Sequence, residues 1–250
     1  MNSKERFSNR VDTYVLYRPS YPQEVMDYLY GVIGLKQESV VADVGAGTGI
    51  FSKLLLERGS QVIAVEPNKE MREAALKDLE GAPNYRAVPG SAEETGLMDH
   101  SVDFIVCAQA FHWFDRTAAR KEFERILKPG GKIVLIWNNR LTEGTPFREE
   151  YDRFLHTFGT DYKTVTQKNI TPDALGAFFE AGDMQIGTFP NHQRFDLEGL
   201  AGRVLSSSYI PVPGDPSYEA MMDALRALFE RNAENGKVSF DYETEVFWGS

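Results

Sequence analysis

Three glycines alternate in the stretch VGAGTGIF, at positions 45, 47 and 49, directly after the apolar run SVVAD. Glycines so placed let a chain turn tightly and let a ligand approach the backbone with no Cβ in the way. A dinucleotide fingerprint, G-x-G-x-x-G, needs its third glycine at position 50, where this chain has Ile50. A triphosphate-binding loop needs Gly-Lys followed by Ser or Thr, and none follows here. A carboxylate, Glu66, stands 21 residues after Gly45 at the end of the next apolar run, QVIAVEP. At that spacing it can accept hydrogen bonds from the vicinal hydroxyls of a ribose. Together the two signals describe a site for an adenosine whose far end is not a pyrophosphate.

Such a site needs strands to carry it. Apolar runs of strand length fall at 39–45, 61–67, 84–90, 102–109 and 131–139, the third being the weakest. Their near-continuous hydrophobicity fits strands covered on both faces of a parallel sheet. Between them lie FSKLLLERG, KEMREAALKDL and TAARKEFERILKPGG, with apolar residues at helical spacing. Gly81 ends the second of these helices, and Pro129-Gly130-Gly131 is expected to end the third. Repeated βα units with short joints predict a doubly wound, Rossmann-like α/β sheet with helices on both faces and ligands at the carboxyl ends of the strands.

After residue 140 the pattern changes. PFREEYDRFLHTFG and TPDALGAFFEAGD read as helices, the latter opened by Thr171 and Pro172. Residues 184–196 are expected to form a strand interrupted or bent near Pro190, two helical stretches follow, and KVSFDYETEVFWG alternates as a strand. No repeat or linker divides the chain, so residues 1–250 read as one domain: lid helices in 1–38, a ligand-binding core in 39–140, and a C-terminal part, 141–250, with an insertion at about 197–235.

Net charge is −10 and the pI near 5.0. Arg116, Arg120, Lys121 and Arg125 alternate with Glu122 and Glu124, which makes a solvated helix face rather than a nucleic-acid groove. No apolar run approaches the roughly 18 residues of a membrane span. The polar start and the single cysteine, Cys107, are those expected of a cytoplasmic protein with no disulfide. His100, His112, His156 and His192 are scattered without ligand spacing, so no metal is expected. The expected partner is a small-molecule substrate.

DVGAGTGIF, the acidic VEP, GSAEETGL, CAQAFHWFD and RILKPGGKIVLIWN occur in that order over residues 40–139. As a set they resemble the class I S-adenosylmethionine-dependent methyltransferases, most of all the small-molecule branch called type 11, which includes trans-aconitate-methyltransferase-like proteins. The resemblance implies a seven-stranded sheet closed by a late antiparallel strand pair. It implies S-adenosyl-L-methionine as cofactor, with S-adenosyl-L-homocysteine as product. By that resemblance Gly45, Ala46, Gly47 and Asp43 meet the methionine part, Glu66 the ribose, and Pro67 and Met71 the adenine faces. Ser91 and Ala92 line the adenine edge, and the carbonyl of Gln109 meets the cofactor's amino group. In the leading segment VDTYVLYRPSYP, which resembles this branch's lid, Arg18 is placed to pair with the cofactor's carboxylate and Tyr14 to pack near the sulfonium.

His112, in AFHWF after the fourth strand, is the candidate catalytic residue: a base for a hydroxyl acceptor, or a positioning group for a carboxylate that needs no base. Trp113 is a candidate wall of the acceptor pocket. Tyr209 in the insertion, with Arg203 or Arg140, is a candidate grip on the acceptor, although both arginines also read as ordinary surface residues. A cofactor-sensing protein without catalysis and a nicotinamide-dependent reductase are the alternatives. The first is opposed by the intact glycines and Glu66, the second by Ile50.

Overall fold

The computed structural model describes residues 11–160, 162, 175–179 and 182–250, and the side chains of these except 11–13. Seven strands form one sheet in the order β3-β2-β1-β4-β5-β7-β6. In chain order they are β1 (Val40–Val44), β2 (Gln61–Val65), β3 (Tyr85–Val88), β4 (Val102–Ala108), β5 (Leu127–Arg140), β6 (Gln185–Phe195) and β7 (Val238–Gly249). The first five pair in parallel, and β7 runs antiparallel to both β5 and β6. The order reverses beside β1, so the ends of β1 and β4 diverge and leave a crevice there.

The helices are α1 (Val11–Tyr17), α2 (Gln23–Tyr28, continued by a π turn over Leu29–Ile33), α3 (Ile50–Glu57), α4 (Lys69–Asp78), α5 (Arg116–Ile126), α6 (Pro146–Phe158), α7 (Leu197–Leu205) and α8 (Tyr218–Asn232). Polar side chains mark several starts: Asn68, Asp115, Thr145 and Asp196 each accept a backbone N–H from the first turn of α4, α5, α6 and α7. Successive strand residues serve opposite faces. Ala42, Val44, Ile105 and Cys107 pack under α5 with Phe111 and Phe123, whereas Val41, Val106 and Val134 pack with Phe51 and Leu55 of α3 and Val25 and Leu29 of α2. A third apolar cluster joins α6, α7 and α8 to Val238, Phe240 and Tyr242 in the first half of β7. The insertion between β6 and β7 is therefore a packed layer.

Two sequence expectations change. Helix α5 stops at Ile126, and Pro129-Gly130-Gly131 lies in the bulged start of β5: Val102 faces Leu127, yet Phe104 faces Lys132. A Cβ on Gly131 would sit 2.9 Å from the carbonyl oxygen of Asp103, so close strand approach, not helix termination, sets that glycine. Strand β6 runs unbroken through Pro190, which stays in register with Glu243. An edge strand tolerates proline because half of its N–H groups have no strand to reach. Thr171 and Pro172 lie outside the described residues. Among the described residues no helix is long and apolar enough to cross a membrane.

Phe240 is 2% exposed and its ring meets Phe147, Tyr151 and Phe195 at 5.2, 4.8 and 5.6 Å. Phe240→Ala should cost about 3–5 kcal/mol by emptying that contact, read as a lower urea midpoint. An unchanged midpoint would show that the third cluster adds nothing to the cooperative core.

Candidate functional site

The chain leaving β1 folds across the end of β2, where the Gly45 and Ala46 N–H groups both donate to the Val65 carbonyl, at 2.8 and 3.3 Å. Gly45 and Gly47 have φ of 73° and 57°, in the left-handed region. A Cβ on Gly45 would lie 2.5 Å from the Ala110 Cβ, so that position is closed to side chains; above Gly47 nothing lies within 4 Å. One glycine permits the turn, and the other leaves its face open to a ligand.

Glu66 fastens this turn. Its Oε2 accepts the Gly47 N–H and its Oε1 the Asn68 N–H, both at 2.8 Å, and Arg72 donates to its backbone carbonyl at 2.7 Å. Each carboxylate oxygen keeps lone-pair capacity for a further donor. Burial pushes the Glu66 pKa up, opposed by those two N–H bonds. Asp43, 1% exposed, accepts from the Ser52 hydroxyl through Oδ2 at 2.7 Å, while Oδ1 is buried without a partner. Burial, reinforced by the nearby Glu66, raises the Asp43 pKa to about 7 against the Ser52 bond.

From this turn one cavity extends along the carboxyl ends of the strands. Pro67 and Met71, with Ser91 and Ala92, line its side toward β2. Gln109, held at φ 57° by a bond from its N–H to the Ile136 carbonyl (2.9 Å), lines the middle. The far end is cationic and aromatic. Arg18 leans over the Tyr14 ring at 4.8 Å and donates through Nη2 to the Ser206 carbonyl at 2.8 Å, and its Nε is buried without a partner. Burial, with Arg203 nearby, lowers the Arg18 pKa. Arg203 is 7% exposed and reaches the Ser207 hydroxyl at 3.2 Å. Neither guanidinium forms an ion pair with a described carboxylate. Arg140 does, with Asp152 at 2.6 Å, and it also donates to the Tyr162 hydroxyl at 3.0 Å. The surface reading of both arginines is thereby corrected: Arg203 is buried in the third cluster, and Arg140 is enclosed in a paired network.

His112 sits in a short 3-10 turn, its ring 4.7 Å from that of Trp113. Burial first, and Arg18 second, lower its pKa to about 4, so the ring is neutral near pH 7 and a weak base. Its Nδ1 has no partner. Cys107 is fully buried, and burial pushes its thiol pKa well up, which leaves it inert.

All the residues that the sequence singled out for cofactor, catalysis or acceptor line this one cavity, from Tyr14 to Tyr209. Tyr17, in the same leading segment, lies outside the cavity lining and packs on Phe195 and against Gly202 of α7. Phe111 is core. Sequence reasoning missed Tyr21, Asn138, Tyr162 and Tyr242, which also line the cavity. Tyr21 stood in the quoted PSYP, and Tyr242 in the alternating last strand, but strand periodicity carries no signal for which face meets a cavity. Among the described residues, no three His, Cys, Asp or Glu side chains group to hold a metal ion.

Residues 42–135 match the methyltransferase-domain family Methyltransf_11. An uncharacterised methyltransferase-like protein of Schizosaccharomyces pombe is 29% identical over 245 residues, 96% of this chain and 93% of that protein. An uncharacterised methyltransferase of Mycobacterium tuberculosis is 42% identical over 134 residues, which span 54% of this chain and about half, 52%, of the relative. A provisionally named type II methyltransferase of Anaeromyxobacter dehalogenans superposes with a TM-score of 0.66 at 22% identity, covering 93% of this chain and 97% of that one. At that identity the superposition speaks for the fold.

The buried Asp43 gives a pH prediction. Its folded pKa lies above the ordinary 3.8, so between about pH 4 and pH 7 the folded protein holds a proton that the unfolded chain has lost. Its contribution to stability therefore falls as pH rises through that window, by at most about 1.4 kcal/mol per unit. Asp43→Asn should match the wild type near pH 4 and exceed it by a few kcal/mol at pH 8 in urea denaturation of the ligand-free protein, on the order of the shift. Parallel curves across that range would contradict the assignment.

Proposed function

We propose that this chain, whose residues 42–135 match a methyltransferase-domain family, binds S-adenosyl-L-methionine and transfers its methyl group to a small acceptor carrying a carboxylate. One observation carries the reading. Of six buried side-chain polar atoms without a partner among the described residues, four belong to residues of the same cavity: Arg18 Nε, Asp43 Oδ1, Thr48 Oγ1 and His112 Nδ1. Buried polar groups are nearly always paired, so four orphans on residues that line one cavity favour a polar ligand there.

The residues suit the cofactor. The open face above Gly47 admits a backbone-hugging methionine chain, and the orphaned Asp43 oxygen suits its ammonium. The fixed Glu66 carboxylate suits a ribose diol. Pro67 and Met71 supply an apolar slot for the adenine, Ser91 and Ala92 its edge, and Gln109 a strained carbonyl at the strand end. Tyr21 sets an aromatic ring near Asp43, with Tyr14 beside it toward Arg18, and a sulfonium between them gains from their faces. When bound, the cofactor supplies an electrophilic methyl group. A carboxylate oxygen takes it while the carbon–sulfur pair stays on sulfur, and no proton moves.

The other end supports the acceptor class. Two buried guanidiniums, Arg18 and Arg203, repel one another with no described carboxylate between them, an arrangement that the cofactor's carboxylate at Arg18 and an acidic acceptor at Arg203 relieve. An acid of the kind implied by the resemblance to trans-aconitate-methyltransferase-like proteins fits by charge. Because a carboxylate is already nucleophilic, the neutral His112 has only to orient it, and Trp113 and Tyr209 exclude water.

Calorimetry should show binding of both S-adenosylmethionine and S-adenosylhomocysteine, and no heat with either ligand would reject the proposal. Glu66→Ala should weaken both by about 10–100-fold, the worth of hydrogen bonds to a charged group. His112→Ala should leave those affinities intact and lower turnover about tenfold with labelled methyl donor and a panel of carboxylic acids. Arg203→Gln should raise the KM for the acid and spare the cofactor. Cofactor binding without transfer to any acid, phenol or amine would favour the non-catalytic alternative.

A further inference from the structure

Asn138 is a polar side chain near the end of β5 that nothing above uses. It is 4% exposed and lines the cavity between Gln109 and the lid. Gln109 Nε2 reaches the Asn138 backbone carbonyl at 3.4 Å. The Asn138 side-chain oxygen accepts two bonds, from the Thr244 hydroxyl at 2.5 Å and from Asn191 Nδ2 at 3.1 Å. Its Nδ2 donates to the Ser20 carbonyl at 3.3 Å, and Asn191 donates to the same carbonyl at 2.8 Å. Reversing the amide would set its oxygen against the Ser20 carbonyl and its nitrogen against the Asn191 nitrogen. The orientation is therefore dictated by the partners.

An amide nitrogen carries two hydrogens, and only one is used here. The oxygen is saturated, so the second N–H is the one hydrogen-bonding capacity that Asn138 has left. Thr244, fully buried and directly across from Asn138 in the β5–β7 ladder, holds it in place.

We infer that Asn138 is a second acceptor-orienting residue of this site, beside His112, presenting its second amide N–H to an oxygen of the acceptor carboxylate, with Thr244 as its positioning residue. The inference rests on the methyltransferase reading above and adds a residue to it. Its physical basis is charge. As the methyl group moves, the negative charge on the carboxylate and the positive charge on the sulfonium cancel. A guanidinium paired with the reacting carboxylate loses its ion pair in that step and so opposes it. A neutral amide loses far less, and can fix the angle of attack without holding back the nucleophile. Arg203 then draws the acid in, while Asn138 aims it.

The test uses tritiated S-adenosylmethionine and a panel of simple mono- and dicarboxylic acids, with cofactor affinity measured separately by calorimetry. For the best acid of the panel, Asn138→Ala should lower kcat/KM by about 30-fold or more with cofactor Kd within about twofold of wild type. Thr244→Val, which keeps the shape and removes the donor, should lose about tenfold, and Thr244→Ser should restore most of it. The inference is overturned if Thr244→Val performs like the wild type, if Thr244→Ser is as poor as Thr244→Val, or if Asn138→Ala loses cofactor affinity by the same factor as activity. A wild type that binds the cofactor and methylates no acid overturns the acceptor class together with this inference. Methylation with indifferent variants overturns this inference alone.

Discussion

The turn after the first strand combines three glycines in the left-handed region with one carboxylate that binds two backbone N–H groups at once. Glu66 closes that circuit, joining Gly47 on one side to Asn68 on the other. The consequence is geometric. The turn leaving β1 is tied down across the end of β2, α3 starts immediately from Gly49, and Asn68 is left to cap α4. Each element that borders the cavity on this side is thus referred to one carboxylate. Its burial costs solvation, which shows as its raised pKa, and the two N–H bonds offset that cost.

The opposite end follows another rule. Buried charges are normally paired, and Arg140 obeys, with Asp152 and Tyr162 around it. Arg18 and Arg203 keep their charges among hydroxyls, carbonyls and aromatic rings. Those neighbours satisfy hydrogen bonds without cancelling charge, so the positive potential persists at this end of the cavity. The same potential, added to burial, keeps His112 neutral. The two ends differ in sign: carboxylates, Asp43 and Glu66, at the turn, and guanidiniums beyond Gln109.

What joins the ends is a set of bonds to backbone carbonyls of the leading segment. Gln193 reaches the Tyr17 carbonyl at 3.4 Å, and Asn138 and Asn191 share that of Ser20. Gly202 lets the Tyr17 ring lie against α7 where any Cβ would collide with it, at 2.1 Å. The antiparallel strand pair and the insertion thereby hold the segment that brings Tyr14, Arg18 and Tyr21 over the cavity.

Much of the turn and the sheet was legible in the residue order. The alternating glycines, the run lengths and the carboxylate 21 positions on are local signals, because a strand, its turn and the next strand are consecutive in the chain. Steric limits on φ and the two-residue period of a strand act on neighbours, so spacing alone expresses them. The bulge that absorbs Pro129-Gly130-Gly131 and the unbroken passage of β6 through Pro190 were not legible, since each depends on which strand lies alongside. The same holds for the far end of the cavity. Arg18 and Ser206, or Asn138 and Thr244, are separated by 188 and 106 positions and meet only after the sheet has closed. By itself the sequence determined the turn and the strands that carry it, through local backbone geometry. Only the tertiary structure decided which charges go unpaired and which amide faces the cavity, because desolvation and hydrogen-bond saturation are properties of the surroundings, not of the residue.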